Sequence, residues 1–383
     1  MLKYEIKKYI LKPSVILCLI LFLLLNIGKY FELFYHFDGG RAIVSGYTAL
    51  SEGESKLYEK YGGLITDEKI TMLKEETKKA QAFLDEYGIV NEPMEGFYTG
   101  YPYGDAELFK NTFIPAYEYA IFYFRYSNEI SEAARQNAVY YAEFSDYEVR
   151  KNTLISSLYK NRRVDYCVKG NGWSAFFDYK FSSLLVIFLL IFILSPLFSS
   201  ERAGGFDRLI ISSGKRKAVI RSKLILALLL SFFLTIIFFF EDMLIIDAFS
   251  GLDCLNAPIY AVSEFQNCPF DITLFESCVV SAVSRFIVML CFTSIICFLS
   301  TFGKNTAVSG LLSFSVGALF VLLSEVLPQS LDIAGLVYTS DVFREFSVVN
   351  IFGFPVFSVV TAILLTLIIA TLFIIATVRR AFR

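Results

Sequence analysis

Few residues in this chain have the types and spacing that chemistry requires, and the clearest are charges set against apolar sequence. Glu241 and Asp242 end one apolar stretch, Asp247 lies beyond, and Arg285 lies inside another stretch. Charged side chains within a bilayer are costly and mark either ion paths or structural pairs. Arg285 with Glu241 or Asp242 is therefore a candidate intramembrane charge pair. The alternative is a set of interfacial charges whose heads reach outward to water.

Catalysis is poorly supplied. His36 is the sole histidine, which excludes chemistry resting on several histidines and His-rich zinc sites. The seven cysteines contain no C-x-x-C pair, so a zinc ribbon or a thioredoxin motif is not expected. Gly28-Lys29, Gly214-Lys215 and Gly303-Lys304 are followed by Tyr, Arg and Asn, so none is a phosphate-binding G-K-[ST] loop. Neither H-E-x-x-H nor a G-x-S-x-G with a histidine partner within reach occurs. No catalytic residue, metal site or cofactor is expected in this chain, and uphill movement would draw on a partner or an ion gradient. Cys254 and Cys268 share one short loop; if that loop is exported, a Cys254–Cys268 disulfide is a candidate.

The most informative segment runs from Ser195 to Lys223. Glu201 to Ser212 is expected to form one short helix with Phe206, Leu209 and Ile210 along one side, ended by Gly214. An apolar ridge flanked by charge suits docking to another protein. An interfacial helix with topogenic lysines is the plainer reading.

The elements that hold these residues follow from composition. Of 383 residues, 55% are hydrophobic and 19% charged, against about 45–50% and about 25% in soluble domains. The excess falls into six stretches, each judged against the roughly 20 helical residues that cross a bilayer. The expected spans are 14–36, 182–198, 224–240, 278–302, 307–327 and 355–378. Residues 1–13 place Leu2, Ile6, Tyr9 and Ile10 on one helical face and four lysines around the other, the pattern of a surface-lying helix. A signal peptide is the competing reading of the start, but Asn26 to Phe31 offers no A-x-A-like cleavage site.

Basic residues near span ends set orientation. With the N-terminus inside, segments 1–13, 199–223, 301–306 and 379–383 carry 15 basic residues and three acidic ones, a net +12. The remainder carries 20 basic and 34 acidic residues, a net −14. The overall charge of −2 is thus the sum of two opposed halves, and both termini are expected on the cytoplasmic side. No nucleic-acid partner is implied.

The block 37–181 is long enough for one domain and reads as helical. Thr66 opens a helix that Gly88 ends, Ser145 with Glu148 is a capping box, and Asp105 to Phe144 is an aromatic-rich helix. Its Phe and Tyr residues suit a core and, less economically, an amphipathic-ligand surface. Segments 241–277 and 328–354 form the other loops on the same side, 303–306 is a turn on the opposite side, and 379–383 is a tail. Ser309, Ser313 and Gly317 form a small-xxx-small ridge suited to close helix packing, within the chain or at a dimer seam.

At Glu201, Gly205, Leu209, Ser213, Arg216 and Lys223, in that order, the sequence resembles the permease subunits of ABC-2 type transporters; Gly214 stands where the family usually has Pro. The layout resembles theirs too: an elbow helix, six spans, inner termini and an amphipathic or re-entrant segment, here Asp332 to Gly353, before the last span. The large domain after the first span is similar to that of a bacterial subset. The resemblance implies an all-α polytopic protein of the bacterial cell membrane. It also implies a partner cytosolic ABC ATPase that binds ATP and Mg, and a second permease copy or homologue amid membrane lipid. It assigns Glu201, Arg202, Gly205, Phe206 and Leu209 to ATPase docking, and implies export of a peptide, lipid or drug-like substrate. A non-transporting membrane sensor or immunity protein, with a ligand-binding outer domain, is the alternative.

Overall fold

Long apolar runs close their backbone hydrogen bonds internally when water is absent, which favours helices. The computed structural model describes residues 2–38, 41–44, 52–90, 92–303, 305–324, 327, 331, 333, 335–337 and 339–381. It is mostly helical with little sheet. Helices α1 (Leu2–Tyr9) and α2 (Pro13–Phe34) lead into a domain. It comprises β1 (Tyr35–Asp38), β2 (Arg41–Val44), α3 (Glu52–Tyr61), β3 (Gly63–Leu64), α4 (Asp67–Tyr87), α5 (Pro102–Leu108), a π-helical turn (Phe109–Phe113), α6 (Ile114–Tyr140), α7 (Asp146–Tyr159) and β4 (Tyr166–Cys167). There follow α8 (Gly170–Asp178), α9 (Phe181–Leu194), α10 (Pro196–Ala203), α11 (Phe206–Ser212), α12 (Arg216–Ser250) and α13 (Leu274–Ser300). The chain ends with α14 (Thr306–Ser324), α15 (Thr339–Arg344), β5 (Val348–Ile351), β6 (Phe354–Phe357) and α16 (Ser358–Arg380). Among the described residues the strands pair as antiparallel twos: β1 with β2, β3 with β4, and β5 with β6.

Among the described residues five helical stretches are long and apolar enough to cross a membrane: Pro13–Leu33, Gly170–Ala203, Arg216–Ser250, Leu274–Ser300 and Ser358–Arg380. The chain is a membrane protein of helical build. The expected 307–327 span appears as the shorter apolar helix Thr306–Phe320, and part of its far end lies outside the described residues.

Helix α13 is central, packing against α9, α12, α14 and α16. Leu189, Leu190, Leu194, Leu226, Val288 and Met289 fill the space between them. On α16, Ala362, Thr366 and Ala370 are buried at four-residue spacing, the small-residue pattern that lets helices approach closely. The Ser309-Ser313-Gly317 ridge is used within the chain: Ser309 Oγ donates to Ser195 O at 2.7 Å, and a Cβ on Gly317 would touch Ile191 and Ile187.

The large domain has two cores. Leu57, Tyr61, Leu73, Phe109, Phe113 and Tyr117 form one. In the other, Tyr123 and Trp173 join the 251–273 loop and the domain end of α12. The aromatics thus divide: Phe109, Phe113, Tyr117 and Tyr123 are core, whereas Phe122, Tyr140 and Phe144 are exposed. Thr66 and Ser145 cap α4 and α7 by accepting from Lys69 N and Glu148 N.

Three elements depart from expectation. The aromatic helix is interrupted: Ile114 N bonds back to Phe109 O, closing a π turn. Pro115 follows with no N–H to offer, which favours such widening. The expected amphipathic segment 332–353 contains the short α15 and then a β-hairpin. Ile351 pairs with Phe354, and the two turn residues, Phe352 at φ 51° and Gly353 at φ 83°, give the primed turn that tight hairpins prefer. The β-branched Val348, Val349 and Ile351 suit strand over helix. Residues 332, 334 and 338 lie outside the described set. The loop helix expected from Glu201 to Ser212 is two helices, for reasons set out below.

Candidate functional site

The end of the bundle that carries α1, α10 and α11 is built on two chain breaks. Pro196 lacks the N–H that would continue α9. The carbonyl just before it, Ser195 O, instead accepts from Ser199 Oγ at 2.9 Å, Ser300 Oγ at 2.8 Å and Ser309 Oγ at 2.7 Å. Three hydroxyls from α10, α13 and α14 thereby fix the bend. The second break is Gly204-Gly205. Gly205 sits at φ 70°, ψ 7°, a left-handed conformation that favours glycine, and a Cβ on Gly204 would meet the Phe206 ring at 2.8 Å.

These breaks separate residues expected to act together. Glu201 belongs to α10 and is buried at 6% exposure, whereas Phe206 and Leu209 on α11 are 58% and 63% exposed. No residue of α11 is buried. Arg202 also faces inward, its guanidinium donating to Thr301 O. The structure thus leaves Phe206 and Leu209, one turn apart on α11, as an exposed apolar ridge, packs the expected third member Ile210 against the bundle core instead, and gives Glu201 and Arg202 internal partners.

Glu201 is part of a buried network that sequence reasoning missed. Lys223, 0% exposed, lies 2.9 Å from Glu201 Oε1 and 3.3 Å from Glu5 Oε2, and donates to Leu197 O at 2.7 Å. Lys8 approaches Glu201 Oε1 at 3.3 Å. Tyr9 OH lies 2.9 Å from Ser200 Oγ and 3.4 Å from Lys223 Nζ. A buried ammonium is tolerable only when paired and hydrogen-bonded, and here α1 and α10 supply the partners of the lysine on α12. The readable signal was Tyr9 on the apolar face of α1; nothing local marked Glu5 as a buried acid.

A second buried polar cluster lies toward the domain end. Arg285 Nη1 is 2.8 Å from Asp242 Oδ2, and both side chains are essentially sealed from solvent. Arg285 Nη2 donates to Tyr179 O at 3.0 Å. Asp242 also accepts from Ser182 Oγ at 2.5 Å and Asn26 Nδ2 at 3.0 Å. The arginine's partner is therefore Asp242 rather than Glu241, which accepts from Asn26 Nδ2 at 2.8 Å. The register of α12 decides this, since adjacent residues point 100° apart and only Asp242 faces α13. Neither Arg285 nor Asp242 reaches outward to water.

The cysteine pair is also placed differently. Cys254 and Cys268 are free thiols; Cys254 Sγ contacts Cys167 O at 3.8 Å and Cys268 Sγ contacts Phe270 O at 3.7 Å. Burial pushes both thiols up to about 12, leaving little thiolate to start a disulfide exchange. Among the described residues no cluster of His, Cys, Asp and Glu is arranged to hold a metal ion.

No protein family, curated protein or solved structure matches this chain.

Proposed function

We propose that this protein is the permease subunit of an ATP-driven ABC exporter of the ABC-2 type, working with a separate cytosolic ATPase and a second permease subunit. The observation that carries the reading is the exposed Phe206–Leu209 ridge on α11. It projects from a two-glycine break, while α10 beneath it is tied to α1 and α12 through Glu201 and Lys223. A short helix with an apolar ridge, anchored to three other helices, passes a push from a docked partner into the bundle rather than absorbing it. The excess of basic residues at this end favours its lying in the cytoplasm, where an ATPase would be met. The exporter's six spans then include α14, α1 is its elbow helix, and the domain between the first two spans lies outside. The ligand-facing alternative, a sensor or immunity protein, draws support from the exposed Val139, Tyr140 and Phe144 at the far end of α6.

Affinity purification from gently solubilised native membranes tests the proposal. It expects a stoichiometric P-loop ATPase with the wild-type chain and loss of that ATPase from Phe206→Asp/Leu209→Asp. Recovery of no ATPase with the wild-type chain would sink the exporter reading and leave the sensor.

A further inference from the structure

At the basic end of the bundle, α12, α13 and α16 enclose an open groove of about 860 Å³, within the range of about 300–1,000 Å³ typical of ligand pockets. Its lining changes character along one direction. Lys217, Arg221 and Arg379 form the rim, and Leu224, Leu228 and Leu290 form the wall beyond. On α12 this gradient falls on one helical face, because Lys217, Arg221, Leu224 and Leu228 recur at spacings of four, three and four. Arg216 also lines the groove but is committed elsewhere, donating from Nε to Ala381 O at 3.0 Å and so tying α12 to α16. Among the described residues no carboxylate pairs with Lys217, Arg221 or Arg379, and no acid lines the groove.

A second observation is independent of these charges. Thr293, on the groove wall contributed by α13, is 4% exposed, and its Oγ1 has no hydrogen-bond partner among the described residues. A buried hydroxyl without a partner gives up the hydrogen bonds it had to water in the unfolded chain and is destabilising. Helical threonines normally cancel that cost by bonding back one turn, as Thr366 does to Ala362 O. Thr293 instead presents its hydroxyl about two turns below the end of α13.

We infer that this groove is a binding site for one anionic phospholipid of the cytoplasmic leaflet. The phosphate lies among Lys217, Arg221 and Arg379, a glycerol-ester oxygen accepts from Thr293 Oγ1, and an acyl chain lies along Leu224, Leu228 and Leu290. The order of cation, hydroxyl donor and apolar wall is the order of phosphate, ester and chain in a phospholipid. Side chains of Ile225 and Leu228 that are open to the surroundings give the groove a lateral mouth toward the hydrocarbon. The inference rests on the membrane orientation argued above and is independent of the exporter assignment.

The test is native mass spectrometry of the full chain purified in mild detergent, titrated with phosphatidylglycerol and separately with phosphatidylcholine of equal chain length. The wild-type chain is expected to retain phosphatidylglycerol at least tenfold better. Lys217→Gln/Arg221→Gln/Arg379→Gln is expected to lose most of that preference, up to roughly 100-fold. Thr293→Val keeps the preference and weakens retention of both lipids roughly threefold. Unchanged helical circular dichroism shows that each variant is folded. Equal retention of the two lipids by the wild-type chain, or an unaltered preference in the triple variant, overturns the site. Displacement of phosphatidylglycerol by an equimolar amount of glycerol phosphate would show a soluble phosphate as the ligand and overturn the lipid. A symmetric cross-link between two chains through Leu228→Cys in native membranes would show a second copy covering the groove, with the same consequence.

Discussion

Lys223 Nζ lies 2.9 Å from Glu201 Oε1 with no part of the lysine side chain open to solvent. The two residues sit on either side of the exposed α11 ridge in sequence, so the pair closes the loop that carries it. Glu5 and Lys8 extend the pair to α1, so that Glu5, Glu201 and Lys223 share one buried site with the partly exposed Lys8 at its edge. Removing one member leaves its neighbours charged and buried, and breaking such a pair costs about 3–5 kcal/mol. Lys223→Met is accordingly expected to lower the thermal midpoint sharply and to open the N-terminal helix to proteolysis. Lys223→Met with Glu201→Gln should recover part of the loss, since both charges are then absent. Equal loss in the single and double variants would show that packing, not charge, holds the site.

The Arg285–Asp242 pair makes a parallel prediction that separates two adjacent acids. Arg285→Ala leaves the buried Asp242 carboxylate with uncharged partners, Ser182 and Asn26 among them, with an expected cost again of about 3–5 kcal/mol. Glu241→Gln keeps a group able to accept from Asn26 and is expected to change stability by less than about 1 kcal/mol. Thermal unfolding in detergent compares them directly. A Glu241→Gln defect as large as that of Arg285→Ala would contradict the observed register of α12.

Five of the six expected spans overlap helices long and apolar enough to cross a membrane, because a long apolar run has few alternatives in a bilayer, and the caps of α4 and α7 were legible because Thr66 and Ser145 act within one turn. The break at Gly204-Gly205 was present in the residues but was read as continuous helix, since Phe206, Leu209 and Ile210 keep helical spacing on their own. The resemblance assigns Glu201 to docking, and nothing local shows that Lys223 returns to it from 22 positions later to form a buried pair. Burial of a charge is set by which helices meet, and that information is tertiary. The hairpin at 348–357 was masked by its apolar content: the β-branched Val348, Val349 and Ile351 favour a strand, but an apolar, Phe-containing run also suits a membrane-surface helix until Phe352-Gly353 makes the turn.

The large domain is held to the 251–273 loop by side chains reading main-chain carbonyls. Arg162 donates from Nη1 to Cys268 O at 2.6 Å and from Nη2 to Pro269 O at 2.7 Å. Tyr119 and Tyr123 on α6 donate to Tyr260 O and Gln266 O. Hydrogen bonds from a charged donor contribute about 1.5–3 kcal/mol each. Arg162→Ala is expected to raise amide hydrogen exchange through residues 257–270 at least tenfold while leaving α13 protected. Unchanged exchange in that loop would show that the tyrosines alone hold it.

The same domain carries a pH-dependent contact. Burial alone would raise the Glu76 carboxyl, but hydrogen bonds from Lys60, at 2.6 Å, and from tyrosine outweigh it and hold the group below its ordinary value of 4.5. A depressed acid contributes stability that is fully present above its unfolded value and lost as pH falls through the folded one. The domain is therefore expected to keep this contribution at pH 6–7 and to shed it below about pH 4.5. Glu76→Gln should be less stable than the wild-type chain at pH 7 and converge with it toward pH 3. A difference between the two that stays constant across that range would remove the ion pair as the cause.

The thiols give a chemical check on the same region. Cys167, Cys254 and Cys268 are free, the first and last buried and Cys254 half-buried, and burial pushes each up to about 12. Only a minute fraction is then thiolate at pH 8, and alkylation follows the thiolate. Maleimide applied to the folded protein is expected to leave all three unmodified. Denaturation without reductant should then expose all seven cysteines to alkylation, seven adducts by intact mass. Five adducts, with the two missing groups mapped to Cys254 and Cys268, would mean that the loop closes covalently in the membrane-extracted protein. The contacts of Cys254 with Cys167 O and of Cys268 with Phe270 O would then have to give way.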